Sequence, residues 1–134
     1  MTAFIVDNSV VVSWIVPAQA TAYTERLLEM SAAGALHTAF IWPAEFANAA
    51  GAMVRRAILT DDQGSEMIQM AETLGMVVDR TPADLPNLHR ISRRHGLSAY
   101  DAAYLELAVR LTLPLATRDA ALEKAARSLD LFLV

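Results

Sequence analysis

A chain of 134 residues with 54% hydrophobic and 19% charged residues can bury a sizeable core, which excludes a mainly disordered protein. Its formal net charge of −4 argues against a broad nucleic-acid-binding surface, although it allows a local basic rim around an acidic site. The sequence contains no cysteine, which excludes disulfides, thiolate nucleophiles and thiolate metal ligands.

The length predicts one domain over residues 1–134. The N-terminal residues lack a basic region and a cleavage site of the kind found in secretory signals. No apolar run is long enough to span a membrane. We therefore expect a cytoplasmic protein that does not associate with membranes.

The first half of the chain predicts strands separated by helices. Residues 3–6 form an apolar run typical of a strand buried on both faces, whereas the apolar segment 10–15 is ambiguous and could be a helical turn. An apolar stripe opposite a charged face predicts a helix over residues 18–34. A second strand is expected over residues 36–41, followed by a helix over residues 43–59 with Pro in its first turn.

The second half continues the alternation. In chain order, we predict a helix capped at residues 60–62 and ending at Gly75, a strand over 76–78, a helix over 82–95, a strand over 113–116, a helix from Asp119 and a strand over 131–134. Strands that alternate with helices across short loops predict an α/β fold. Specifically, we expect a three-layer α/β/α sandwich around a central, mainly parallel five-stranded sheet.

The clearest helix in the chain begins after Gly96. Ser98 is its predicted N-cap, because the hydroxyl can accept a hydrogen bond from the backbone N–H of Asp101. Asp101 then lies in the first turn, where the helix dipole favours its charge by roughly 0.3–1 kcal/mol. Because most neighbouring residues are Ala or Leu, this carboxylate is expected beside the core, where it needs a partner.

Acidic residues are predicted to meet at one edge of the sheet. Functional groups in parallel sheets gather at the carboxyl ends of the strands, where the following helices present their N-termini. Asp7 ends the first strand, Glu45 and Asp119 each follow a strand and open a helix, and Asp101 also opens a helix. The preference for acids in the first turn of a helix could also account for these positions.

Close carboxylates repel each other. Two of them about 5 Å apart are destabilised by roughly 3 kcal/mol at an effective dielectric constant near 20, and a divalent cation relieves that repulsion. Oxygen ligands without cysteine or a candidate histidine pair favour Mg²⁺ or Mn²⁺ over Zn²⁺. Such an ion can activate water and stabilise charge on a phosphodiester, so the acids would hold metal rather than attack the substrate.

Four short stretches, taken in order, resemble the PIN-domain ribonucleases, and the size and start of the chain resemble the VapC-type toxins of bacterial toxin–antitoxin pairs. These stretches are residues 5–9 (IVDNS), 43–49 (PAEFANA), 97–108 (LSAYDAAYLELA) and 115–119 (LATRD). Together they extend over most of the chain. Asn8 departs from the family pattern, in which a small residue is frequent at this position, and it could alter the pocket.

The resemblance implies a PIN-like domain whose four acids hold one or two Mg²⁺ or Mn²⁺ ions for cleavage of single-stranded RNA. It implies hydroxyl support from Ser9 and Thr117. It also implies a homodimer and a cognate antitoxin whose tail blocks the site. Whether Asp119 contacts metal directly or through water, and which RNA is cleaved, are not fixed by these residues.

Basic residues suggest two possible RNA contacts. The run over residues 89–95, which includes Arg93 and Arg94, could grip RNA phosphates or be a solvated helix face. Arg118, next to Asp119, is a better-placed candidate for a phosphate, and an ion pair with one of the acids is its alternative role.

Other polar and aromatic residues receive simpler interpretations. Ser9 is expected to orient Asp7 or a metal-bound water rather than act as a nucleophile, because no histidine lies nearby in sequence to activate it. Core packing is favoured over base stacking for the tryptophans, and the two tyrosines of the Asp101 helix have the same ambiguity. These four residues are Trp14, Trp42, Tyr100 and Tyr104.

Three other functions are alternatives to a nuclease. A phosphoacceptor receiver domain requires an acid pair after the first strand and a lysine after the last, but Asn8 follows Asp7 and the sole lysine, Lys124, lies in a predicted helix. A phosphatase with an aspartyl nucleophile requires a second acid where Ser9 stands. A catalytically silent PIN-like module that binds RNA or protein is the remaining alternative.

Overall fold

The computed structural model describes residues 3–81 and 83–134. Its strands are β1 (Phe4–Val6), β2 (Leu36–Thr38), β3 (Val77–Val78) and β4 (Leu115–Ala116). Its helices are α1 (Asn8–Ile15), α2 (Ala22–Ser31), α3 (Trp42–Arg55), α4 (Asp61–Glu72), α5 (Leu85–His95), α6 (Ala99–Leu111) and α7 (Ala120–Ser128), with a 3-10 turn at Pro17–Gln19.

The strands form one parallel sheet in the order β3-β2-β1-β4. All three residues of the central strand β1 are fully buried, as expected for a continuous apolar run covered on both faces. Helices α1 to α4 pack among themselves, α5 and α7 pack on α6, and both groups contact β1 through α1 and α6. The predicted α/β sandwich with a parallel sheet flanked by helices is therefore confirmed.

The predicted fifth strand over residues 131–134 is wrong. This segment makes one parallel bridge, Leu115 to Phe132, through the bonds from Leu115 N to Leu131 O (2.7 Å) and from Leu133 N to Leu115 O (2.9 Å). At the next position of the ladder, the carbonyl of Leu133 instead accepts from the Tyr23 hydroxyl at 2.7 Å. The sheet therefore has four strands over the described residues.

Local capping explains where several helices begin. Ser98 accepts from the backbone N–H of Asp101 at 3.1 Å, so α6 begins at Ala99 as predicted. Helix α2 starts later than predicted, because Thr21 and Thr24 form a capping box and the preceding residues make the 3-10 turn. The predicted helix over 82–95 begins at Leu85, after the N-cap Asp84, and residue 82 lies outside the described residues.

The segment after β1 is a helix, which resolves the ambiguity of residues 10–15. Asp7 is its N-cap, and its side chain accepts from the backbone N–H of Val10 at 3.2 Å. The chain thus passes from a buried strand into a helix at a single acidic residue. Across the residues that the structure describes, no helix is both long and apolar enough to cross a membrane.

Candidate active site

The acidic residues lie where strands end and helices begin. Asp7 follows β1 and caps α1, and Asp119 follows β4 and caps α7 by accepting from Leu122 N at 2.8 Å. Glu45 and Asp101 lie in the first turns of α3 and α6. Four different helix N-termini therefore supply one acid each.

The acids lie close enough for the negative charges of some to raise the pKa of others. The pKa of Asp101 is raised by burial and then by the negative charges of Asp119 and Glu45. The charge of Asp101 in turn helps to raise the pKa of Asp7. Acids that stand over a hundred residues apart in sequence thus lie at one edge of the sheet. We call them the acid cluster.

Asp7 is the most buried member, with 3% of its surface exposed. Burial raises its pKa from 3.8 to about 6, while hydrogen bonds from Ser9, Thr117 and Val10 oppose this rise. A charge that is buried without a neighbouring cation destabilises the folded protein. These bonds from neutral donors relieve only part of that cost.

Two hydroxyl groups connect Asp7 to the loop after β4. Ser9 Oγ donates to Asp7 Oδ1 at 2.6 Å and accepts from the backbone N–H of Arg118 at 3.0 Å. Thr117 Oγ1 donates to Asp7 Oδ2 and accepts from the backbone N–H of Asp119 at 2.9 Å. The carboxylate and the N-cap of α7 are therefore held in one hydrogen-bonded network.

Glu45 has a partner that the sequence did not assign to it. The hydroxyl of Tyr104, a residue only 1% exposed, donates to Glu45 Oε1 at 2.7 Å. Burial and this bond to a carboxylate raise the pKa of Tyr104, so its hydroxyl stays protonated. The available signal was the spacing of Tyr104 three residues after Asp101, which places both on one face of α6.

The predicted basic contacts do not neutralise the acid cluster. Within residues 3–81 and 83–134, the ion pairs are those of Arg110 with Asp79 and Glu106 and of Arg127 with Glu123. Arg118 is exposed, and its guanidinium donates to Ser13 Oγ at 2.6 Å rather than to an acid. The alternative of an Arg118 ion pair is therefore absent among the described contacts.

Arg93 and Arg94 lie in the last turn of α5, and both are exposed. No hydrogen bond or ion pair among the described residues connects them to the acid cluster. The structure thus brings the four acids, Ser9, Thr117 and the backbone of Arg118 together. The two α5 arginines are exposed, so both interpretations, an RNA contact and a solvated helix face, stay open.

The donor chemistry of the acid cluster suits a hard divalent cation. Its side-chain donors are oxygens, and Asp7 is buried without a cationic partner among the described contacts. In the part of the chain that the structure describes, however, no three Asp, Glu, His or Cys side chains form a ready-made metal site. Mg²⁺ usually keeps several waters and uses only one or two carboxylates with substrate phosphates, so the residues present fit such an ion.

An open cavity of about 490 Å³ lies beside Glu45. Asn8, Asn48 and Tyr100 contribute its polar lining, and 60% of the Tyr100 surface is exposed. Neither tryptophan lines this cavity. Trp14 Nε1 donates to the carbonyl of Thr24 at 2.6 Å, and Trp42 is 8% exposed against Phe46.

The parallel sheet, with acids on helix N-termini at its carboxyl edge, defines an α/β protein with an acidic site. The PIN domain model matches residues 4–128. The crystal structure of PAE2754 from Pyrobaculum aerophilum aligns with a TM-score of 0.69 and 20% identity, covering 92% of this chain and 84% of that one. This likeness shows the fold.

Two ribonucleases are similar over most of their length. Ribonuclease VapC3 of Pyrobaculum aerophilum is 31% identical over 117 residues, which are 86% of this chain and 88% of that protein. Ribonuclease VapC1 of Mycobacterium tuberculosis is 33% identical over 129 residues, which are 93% of this chain and 92% of that protein. The chain therefore belongs to the PIN domain family, among its VapC-type members, which confirms the resemblance seen in the sequence.

Proposed function

We propose that this protein is a Mg²⁺- or Mn²⁺-dependent endoribonuclease that acts as the toxin of a toxin–antitoxin pair. The observation that carries the proposal is the acid cluster, in which four helix N-termini supply one acid each and none of the four forms an ion pair among the described residues. Besides burial, the negative charges of Asp119 and Glu45 raise the pKa of Asp101, and that of Asp101 raises the pKa of Asp7. Membership among VapC-type proteins supports RNA as the substrate.

In this proposal Asp7, Glu45, Asp101 and Asp119 hold the ion or ions. When bound, the ion supplies an activated water and stabilises negative charge on the phosphodiester. The carboxylate of Asp7 accepts two hydrogen bonds on Oδ1 and one on Oδ2, so one lone-pair site, on Oδ2, is left for a further ligand.

The remaining residues position these carboxylates. Ser9 and Thr117 each donate to one oxygen of Asp7, which fixes the plane of the carboxylate. Tyr104 holds one oxygen of Glu45 and leaves the other free. Their hydroxyls stay neutral, so they orient the acids without cancelling the negative charge that binds a cation.

Arg118 is the proposed contact for the RNA backbone. Its backbone N–H and its guanidinium are bonded to Ser9 and Ser13, so the side chain begins and ends at fixed points beside the acid cluster. A guanidinium has five N–H donors, and the bond to Ser13 uses one of them. Arg93 and Arg94, exposed in the last turn of α5, are a second proposed contact for RNA phosphates.

The partners follow from the same proposal. We infer a single-stranded RNA substrate, a cognate antitoxin whose tail covers the acid cluster, a homodimer and a cytoplasmic location. The family match over residues 4–128 supports a single PIN-like domain over residues 1–134. None of these inferences depends on whether one or two ions bind.

The test compares Asp101→Asn with a matched control, Asp61→Asn. Both acids lie in the first turn of a helix, but Asp61 is exposed on α4. We expect the wild type and Asp61→Asn to cleave an RNA panel only with Mg²⁺ or Mn²⁺, and Asp101→Asn to be slower by on the order of 100-fold. The metal should raise the melting temperature of the wild type more than that of Asp101→Asn.

Three results would overturn the proposal. Cleavage that persists in EDTA excludes a metal-dependent mechanism, and undiminished cleavage by folded Asp101→Asn removes this residue from the site. A folded wild type that binds RNA or an antitoxin but cleaves no RNA with either metal would instead identify the catalytically silent module.

A further inference from the structure

A second cavity adjoins the acid cluster on the side of the loop after β4. It measures about 350 Å³, and the side chains that matter for its chemistry are Tyr23, Arg26, Thr117, Arg118, Arg127 and Phe132. Three arginines therefore converge on one cavity of a chain whose formal net charge is −4. We call this cavity the arginine pocket.

Stacked aromatic rings form one wall of the arginine pocket. The rings of Tyr23 and Phe132 stack with their centroids 6.1 Å apart. The guanidinium carbon of Arg26 lies 5.5 Å from the Tyr23 centroid, and that of Arg127 lies 4.4 Å from the Phe132 centroid. An arginine that stacks by its flat face keeps the N–H groups on its edge free for another ligand.

The charges of the arginine pocket are mostly uncompensated. Its lining contains three arginines and one acid, Glu123. Glu123 Oε2 accepts from Arg127 Nε at 2.8 Å, and the side chains of Arg127 and Glu123 are 53% and 38% exposed. A surface pair of this kind contributes at most about 1 kcal/mol, so it does not prevent Arg127 from binding a stronger anion.

Thr117 connects the arginine pocket to the acid cluster. Thr117 lines the pocket, and its hydroxyl donates to Asp7. Burial raises the pKa of Tyr23 to about 12, and the negative charge of Asp7 also contributes to the increase. The aromatic wall therefore lies within electrostatic range of the buried carboxylate.

We propose that the arginine pocket binds phosphates of the RNA substrate, namely those next to the phosphate that lies at the acid cluster. Arg26 and Arg127 add to the contact made by Arg118. The inference rests on the proposed function, because the acid cluster is taken as the point of cleavage. Guanidinium groups match phosphate oxygens in geometry and charge. A basic pocket beside the acids also offsets the repulsion between RNA and an acidic protein.

The test measures how salt weakens binding of fluorescein-labelled octauridylate in EDTA, with intact RNA verified on a gel. Each phosphate contact to a single strand contributes roughly 0.7 to the slope of log affinity against log salt concentration. The double variant Arg26→Gln/Arg127→Gln should therefore have a slope shallower by about 1.4. Between about 50 and 200 mM salt, the wild type should lose about sevenfold more affinity than the variant.

The matched control removes the same two charges elsewhere. Arg55 and Arg56 are exposed at the C-terminal end of α3, ten or more residues beyond Glu45 and roughly 15 Å away along the helix. The variant Arg55→Gln/Arg56→Gln should keep the wild-type slope. The variant Arg26→Lys/Arg127→Lys should also keep it, because charge rather than ring packing carries the contact.

Three outcomes would overturn the proposal. They are an unchanged slope in the Arg26→Gln/Arg127→Gln variant, an equal change in the α3 control, and a loss of slope in the lysine variant. Melting temperatures verify that each protein is folded. If the double variant does not fold, Arg26→Gln alone should change the slope by half as much. Because binding is measured without cleavage, the two proposals fail separately. Unchanged salt slopes would not affect the result of the nuclease test, and a protein that cleaves no RNA would still give interpretable slopes.

Discussion

Replacing Asp7 by Asn should make the metal-free protein more stable at pH 8. The carboxyl group is 3% exposed, and burial raises its pKa from 3.8 to about 6. Because one pKa unit corresponds to 1.36 kcal/mol, ionised Asp7 destabilises the folded state by about 3 kcal/mol above pH 6. Asparagine is neutral and is also a preferred N-cap, so it can keep the bond from Val10.

The amide does not reproduce every bond. It has one accepting oxygen and one donating nitrogen, whereas Ser9 and Thr117 each donate to a different oxygen of Asp7. One of these two bonds must reverse or be lost, at a cost of about 1 kcal/mol. The expected net gain in the free energy of unfolding at pH 8 is therefore about 2 kcal/mol.

The pH dependence follows from the sign of the shift. Since the folded-state pKa lies above the unfolded one, folded Asp7 keeps a proton that the unfolded chain releases between pH 4 and about 6. The stability of the wild type therefore falls as pH rises through this window. The advantage of Asp7→Asn should shrink by about 2 kcal/mol between pH 8 and pH 4.5.

Urea denaturation in EDTA at both pH values measures this difference. Asp84→Asn is the matched control, since Asp84 is the exposed N-cap of α5 and accepts from Asn87 N at 2.8 Å. This control should leave the pH dependence of the wild type unchanged. If Asp7→Asn and the wild type give parallel pH curves, Asp7 carries no penalty from burial and the reasoning is refuted.

Two further substitutions test individual contacts. Tyr104→Phe removes the hydroxyl that holds Glu45, so RNA cleavage should fall by about 10-fold while the melting temperature changes little; an unchanged rate would exclude a positioning role. Gly64→Ala places a Cβ atom 2.7 Å from Val54 Cγ2, so the Val54 side chain or the α3–α4 packing must shift, which should cost about 1–3 kcal/mol in urea denaturation. A neutral result would mean that this helix contact adjusts freely.

Sequence reasoning predicted features that depend on local chemistry. The start of α6 depends on the hydroxyl of Ser98 and a backbone N–H three residues away, so capping rules predict it directly. The shared location of Asp7 and Asp119 follows from parallel strands, whose carboxyl ends lie at one sheet edge. Both inferences need only residue types and the alternation of strands with helices.

Features that depend on long-range contacts were not predictable in this way. The bond from Tyr104 to Glu45 joins residues 59 positions apart, and the sequence gives no pairing for them. The apolar residues 131–134 match a strand pattern equally well, yet they make a single bridge, and the Leu133 carbonyl accepts from the distant Tyr23 hydroxyl. Tyr23 also belongs to the arginine pocket, so its pairing with Phe132 became visible only in the fold.

The direction of the hydrogen bonds gives the destabilising charge of Asp7 a structural role. Ionised Asp7 can only accept, so the hydroxyls of Ser9 and Thr117 must donate to it. Their lone pairs are then free to accept the backbone N–H groups of Arg118 and Asp119. Asparagine can donate to one hydroxyl, which removes this constraint on the loop after β4. The same negative charge that destabilises the metal-free fold therefore also orients Arg118 and Asp119 in the loop after β4.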